Sequence, residues 1–416
     1  MPSIPDQRWS CHSCGDCCRV LVGHLFHADK KRLDQQRWNE RKGIVPYIRV
    51  GGQYMLNKQA DGACVFLDEN NRCRIHNEFG EEAKPLACRI FPFSVRPVDN
   101  AWQASFRFDC PSATGSKGKP LGQYRADLAE LLKQLKHPGP GGHEEVRWGR
   151  KLVMSPEEVD TLLGHLTRWF RKDNSPLQQR LIGAARLTAT LRRIDFVGVR
   201  GPRFGELLDL LFGALPGESQ TRPEPPNARQ RGMLRQLAFV HAEHVSLIEL
   251  QARIGARFRK RWQQLVAARR FRLGCGGVPS LSCIEGTTTF ELVEAIEPAT
   301  KRTTDIEDLV VRYLTARLTG RSVFGGGYYH WKAIDGLAAL CLSIAAAGWL
   351  ARYVAAVRGE KRLSFDAMAL ALGVVDRAAT RLPSLGTTAE LTRIRYLEND
   401  GGIARLLQYV ELTGHP

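Results

Sequence analysis

Near its N-terminus the chain reads Cys11-His12-Ser13-Cys14-Gly15-Asp16-Cys17-Cys18, and no other feature constrains its fold as strongly. Cys64, Cys73, Cys88 and Cys110 follow, so eight of the eleven cysteines fall within the first 110 of 416 residues. A thiolate is a soft ligand, and close pairs of thiolates hold zinc or iron–sulfur clusters. A C-x-x-C turn brings two sulfurs to one centre while backbone amides point at them. Adjacent Cys17 and Cys18 face opposite ways in an extended chain, so either one serves a second centre or a local turn aims both inward. The other four come singly, and only the fold can carry them to the run. Eight sulfurs suit one [4Fe-4S] cluster with four to spare, two such clusters, or two Cys₄ zinc sites; composition does not choose between iron–sulfur and zinc. Two clean C-x-x-C pairs at zinc-ribbon spacing are missing. Buried free thiols account poorly for eight cysteines in this pattern. Cys275, Cys283 and Cys341 stand outside it: Cys341 reads as core and the other two as bystanders. His12 and His76 neighbour the ligand candidates and are expected to hydrogen-bond to the site rather than to ligate.

With 43% hydrophobic residues the chain can build two or three domains and a sizeable core. The formal charge of +17 is shared by both parts of the chain, so it is not a basic tail. An acidic partner surface, an anionic cofactor or nucleic acid can exploit such an excess, and a generally basic proteome produces it too; nucleic acid is the least expected of these. The N-terminal residues lack the apolar core of a secretory signal, which predicts a reducing, cytoplasmic setting where disulfides are rare. The longest charge-free apolar run, residues 336–351, falls short of the roughly 18–20 residues that span a bilayer and reads as a buried helix.

The expected fold is mainly α, with a small irregular α+β cysteine-rich N-terminal metal or cluster domain. Residues 1–137 form that head, 138–154 a linker broken by Pro138-Gly139-Pro140-Gly141-Gly142, and 155–416 a helical body. In the head, residues 19–26, 47–56 and 101–108 suit strands, and 29–41 and 121–135 suit helices. Ser155-Pro156-Glu157-Glu158 is a capping box with proline at the first helical position, so a helix starts there. Further helices are expected at 177–196, 205–212, 230–244, 247–271, 304–319, 331–357, 364–381 and 388–412, with a proline-rich polar loop at 216–227. In 247–271, Leu250, Ile254, Phe258, Trp262 and Val266 make one apolar stripe. Arg253, Arg257, Arg259, Lys260, Arg261, Arg269, Arg270 and Arg272 fill the other faces, as a solvated surface or a docking face for an anion or acidic protein.

The run at 11–18, the segment CVFLDENNRCRIHNEFGEEAKPLACRIFPF at 64–93 and Asp109-Cys110-Pro111 together resemble the CxxCxxCC cysteine-cluster family, described as a zinc- or iron-chelating domain. The match covers roughly a quarter of the chain. The long form with a helical body is similar to the flagellin lysine N-methylases. That resemblance implies a [4Fe-4S] centre, S-adenosylmethionine as methyl donor and a lysine-bearing protein, flagellin, as acceptor. No G-x-G-x-x-G follows a strand, so methyl transfer rests on the resemblance alone. A lysine to be methylated must be neutral, which calls for an apolar or aromatic pocket or a base. Gly325-Gly326-Gly327-Tyr328-Tyr329-His330-Trp331 offers such a pocket, with Tyr328, Tyr329 and Trp331 as cofactor-binding candidates; the alternative is a loop anchored by aromatics. Glu81, Glu82 and Asp109 read as solvated. Three readings stay open: a cluster-bearing lysine methyltransferase, a non-catalytic zinc- or iron-chelating protein, and a metal-stabilised interaction protein.

Overall fold

In this computed structural model the described residues are 7–21, 23–98, 101–135, 145–149, 152–172, 175–194, 196, 198–243, 254–300, 304–379 and 381–414, the side chains of 216–220, 254, 257, 304 and 400 aside. The fold is mainly α, with a small strand-bearing cysteine-rich N-terminal region.

The body is built around one helix, Ala333–Val357, every residue of which from Ala333 to Ala355 is buried. Its run of alanine and glycine lets neighbours approach from all sides: Phe365–Ala378, Ala228–His241, Gly402–Val410, Leu177–Arg193 and Thr388–Glu398 all pack against it. Gly336 marks the tightest approach, because a methyl group there would overlap the carbonyl of Val323. The helix is long and apolar enough to cross a membrane, yet it lies wholly inside the fold. It outruns the charge-free stretch at both ends and so takes in two charged residues, Asp335 and Arg352. Asp335 accepts from Arg192 at 2.8 Å and from Arg395 at 2.8 and 3.1 Å, and Arg352 is buried near the other end. Asp335→Ala should therefore cost ~2–4 kcal/mol, at or below the cost of breaking a fully buried pair because both arginines reach water. A thermal melt within experimental error of wild type would show that the pair contributes nothing.

Three two-stranded antiparallel ribbons occur in the N-terminal region. Tyr47–Val50 pairs with Gln53–Leu56 around Gly51-Gly52, both in the left-handed region that such a two-residue turn requires. Arg8–Trp9 pairs with Lys119–Pro120. Phe93–Val98 pairs with Ala101–Phe106, Phe93 opposite Phe106. This last ribbon ties the cysteine loops to the body, since Ser105 Oγ donates to the Ala316 carbonyl at 3.0 Å and Arg96 donates to that of Arg321. One apolar cluster runs from Leu86 through the body to Leu412; a smaller one gathers Leu33, Trp38, Leu56, Phe66 and Ile75.

The capping box forms as expected: Ser155 Oγ accepts from the Glu158 amide at 3.2 Å and the Glu158 carboxylate from the Ser155 amide at 2.9 Å. Several other expectations are corrected. Residues 19–26 do not form the expected strand: Asp16–Val20 is a helix and, among the described residues of the span, only His24 makes a bridge. Residues 29–41 form two helices, His27–Gln35 and Trp38–Lys42, separated by Arg37 at φ 50°. The helix expected at 205–212 spans Pro202–Gln220 and takes in the start of the expected proline loop. Residues 388–412 form two helices, Thr388–Glu398 and Gly402–Val410, split at Gly401, which is left-handed. Residues 138–142 and 247–253 lie outside the described residues.

Candidate metal centre

Gly15, at φ 77°, turns the chain between Cys14 and the short helix Asp16–Val20. That helical turn sets the Cys17 and Cys18 sulfurs on one side, 4.0 Å apart, close to the ~3.8 Å between two thiolates on one tetrahedral zinc. Gly15 is also where the run meets the 64–73 loop: a methyl group there would lie 2.9 Å from Asn71 Oδ1, so only glycine permits the approach. Arg19 donates to the same Asn71 oxygen at 2.9 Å. The loop carries Asn71 outward because Asp68 Oδ1 accepts from the amides of Asn70 and Arg72, at 2.9 and 2.7 Å. Cys64 is joined to the run directly: its amide donates to the Cys18 carbonyl at 2.9 Å, and Lys58 Nζ donates to that carbonyl at 2.8 Å.

Cys73 precedes the helix Arg74–Phe79, and Cys88 lies in Leu86–Ile90. The buried carboxylate of Asp29 pins the latter helix by accepting from the Leu86 amide at 3.1 Å and from Phe26 at 3.0 Å, with Arg32 as its counter-ion. Cys110 caps Pro111–Thr114. Backbone amides are directed at four sulfurs, from Asp16 to Cys14, from Cys18 to Cys17, from Phe66 to Cys64, and from Ala113 and Ser112 to Cys110. Such amides stabilise a thiolate, so this donor set fits a thiolate-bound metal or cluster.

Burial pushes the Cys14 and Cys64 thiols up to about 11. Cys88 and Cys110 are raised for the same reason. Cys17 is raised first by its contact with Cys18 and then by burial. The thiols also feel one another: Cys88 feels Cys64, Cys73 and Cys17, and Cys14 feels Cys110 and Cys17.

All eight cysteines line a single cavity of about 1640 Å³. Its opposite wall comes from the body, at the ends of Ala228–His241 and Phe365–Ala378, with His241, Cys283, Arg377 and Arg381. Among the described residues, no three His, Cys, Asp or Glu side chains are gathered closely enough to hold a single ion. The sulfurs ring a wider space.

Other sequence candidates fall as follows. Tyr328 packs edge to face on Tyr329 and Trp331, and those two rings are tilted against each other, with ring centres 5.0–6.0 Å apart. Tyr328 and Trp331 are buried, and none of the three lines the cysteine cavity. Tyr329 does touch its margin, donating at 2.8 Å to the carbonyl of Leu382, a lining residue. His12 meets Ser112, and His76 pairs with Glu81 at 2.8 Å. Asp109 is not solvated: it is buried between Arg107 and Arg381. Cys283 lines the same cavity beside Arg377, whereas Cys341 is core and Cys275 exposed. Lys58, Asn71 and Asp29 gave no metal-like signal in the sequence, since none is a soft ligand.

Residues 10–111 match the CxxCxxCC family model, described as a "Putative zinc- or iron-chelating domain". The cysteine region is therefore similar to the domains that this description covers, over about a quarter of the chain. Of curated proteins, an uncharacterized protein of Methanocaldococcus jannaschii is 30% identical over 128 residues, which is 30% of this chain and 44% of that protein. The chain thus spans less than half the length of that relative. No solved structure matches.

Proposed function

We propose that the N-terminal region holds an iron–sulfur cluster, of the [4Fe-4S] kind, and presents it to a cavity closed by the helical body. The observation that carries this reading is the arrangement of eight sulfurs around one cavity, in place of four drawn onto one ion. Cys11, Cys14, Cys17, Cys18, Cys64, Cys73, Cys88 and Cys110 are the candidate ligands. When bound, the cluster supplies an electron-transfer centre or a Lewis-acidic iron. The chain's own groups do the rest. The amides of Asp16, Phe66 and Ala113 stabilise thiolates, and Lys58 offsets their charge.

A narrower reading is S-adenosylmethionine-dependent methylation of a protein lysine, such as flagellin, as the sequence resemblance implies. The cavity supports it by size, exceeding the roughly 300–1,000 Å³ of an ordinary ligand pocket and so leaving room beside a metal centre. The cavity-lining Arg377 and Arg381 are better placed than Tyr328, Tyr329 and Trp331 to receive the cofactor's carboxylate.

Anaerobically purified protein should be brown, with iron and acid-labile sulfide in matching amounts. Colourless protein with stoichiometric zinc would replace the cluster by the chelating-domain alternative. Calorimetry of the loaded protein with S-adenosylmethionine, followed by mass spectrometry of a lysine-bearing substrate, tests the narrower reading. No heat at millimolar cofactor with the cluster intact sinks it.

A further inference from the structure

The helix Ile254–Leu273 has a face that neither the core nor the cavity uses. Its inner side is committed. Phe271 is fully buried and stacks on Phe239 at 4.8 Å, while Gln236 and Arg235 donate to the Ala268 and Phe271 carbonyls at 3.0 and 2.9 Å. The outer side is unusual. Phe258, Trp262, Leu265, Val266 and Leu273 are 74, 64, 62, 48 and 60% exposed. At these spacings they share one arc of the helix, about 22 Å long. Of the expected apolar stripe, Phe258, Trp262 and Val266 do share one face, and they face water; Leu250 and the Ile254 side chain lie outside the described residues. Arg269 lies within the arc, and Arg259, Arg261 and Arg272 rim it, all exposed. Counting Arg257, Lys260 and Arg270, the segment holds seven cations and no carboxylate.

We propose that this helix is a docking face for an anionic lipid bilayer, on which the protein lies as a peripheral guest. The chemistry selects that partner. A surface with cations and no acid asks for an anionic one, and the net charge of +17 strengthens the attraction. Nucleic acid offers phosphates but gives no apolar depth to Leu265, Val266 and Leu273. An acidic protein would have to supply a groove to enclose a convex helix. A bilayer surface supplies both needs in one plane: the headgroup boundary takes the aromatic and aliphatic side chains, and the lipid phosphates meet the flanking arginines.

Flotation of the purified full-length chain with vesicles of equimolar phosphatidylcholine and phosphatidylglycerol tests this. Binding should exceed that to phosphatidylcholine alone at least ~10-fold and weaken as salt rises. The triple change Phe258→Ser, Trp262→Ser, Leu265→Ser should reduce binding at least ~10-fold without lowering the melting temperature, because the three side chains are exposed. Arg259→Glu, Arg261→Glu and Arg269→Glu together should abolish the preference for the anionic lipid. Equal binding by wild type and the serine variant overturns the proposal. So does a chain that ignores these vesicles at low salt, whether or not it binds a duplex oligonucleotide or an acidic peptide through the same helix.

Discussion

Cys88→Ser should strip the bound metal and unfold the cysteine region, whereas Cys341→Ser should do neither. Cys88 is partly buried on the helix Leu86–Ile90 and is within electrostatic reach of Cys64, Cys73 and Cys17, on three separate segments. Among its described residues, the region holding it has three short ribbons and one small apolar cluster of its own, too little to fold firmly unaided. In such a region the free energy of metal binding is largely folding free energy, ~10–16 kcal/mol for a structural zinc site, so losing one ligand should remove several kcal/mol. Cys14→Ser should act in the same direction. Cys341 sits within the buried Ala333–Val357 helix, far along the chain from the cysteine loops. A hydroxyl there costs only the ~1–3 kcal/mol of burying a polar group, with metal content unchanged. Soluble Cys88→Ser protein with a wild-type melt and full metal content would remove Cys88 from the ligand set. Equal metal loss in Cys341→Ser would mean that the cysteines have been sorted wrongly.

How much of this was legible depends on what each signal reports. Thiolate softness and spacing are chemistry, so the Cys11 to Cys18 run announced a metal or cluster without any fold. Apolar periodicity reports that a helix exists and which residues share a face, and on that footing the Ser155 start and the buried 336–351 segment were readable. It does not say what a face meets. Phe258, Trp262 and Val266 were read correctly as one stripe, but only the packing of Phe271 against Phe239 turns that stripe to solvent. The aromatic group after Gly327 likewise promised a pocket, yet its rings mostly satisfy one another. The burial of Asp109 and the placement of Cys283 were invisible because they depend on packing against residues far along the chain, Arg381 and Arg377. The ends of elements were least legible where one residue in the left-handed region, Arg37 or Gly401, splits a continuous pattern.

The metal-free and metal-loaded forms should respond to alkaline pH in opposite ways. Burial raises Cys14 and Cys64 to about 11 and raises Cys88 as well; Cys17 is raised first by contact with Cys18 and then by burial. A cysteine in the unfolded chain titrates near ~8.5. In the metal-free protein these groups therefore stay protonated over a range in which the unfolded chain has lost its protons. Their contribution to stability is complete below ~8.5 and is lost as pH climbs towards about 11. Lys58, whose pKa burial lowers, works the other way, but it is one amine against four thiols. Metal binding inverts the sign, because each ligand must give up a proton before it can bind. The apparent affinity should rise with pH by up to ~10-fold per unit for every thiol displaced. Thermal melts across pH 7 to 10, with and without a strong chelator, read both effects at once. The chelated protein should lose melting temperature above about pH 8.5 while the loaded protein holds or gains, and chelation should become harder at each step. Parallel profiles for the two forms would mean that these buried thiols are not the groups that bind the metal.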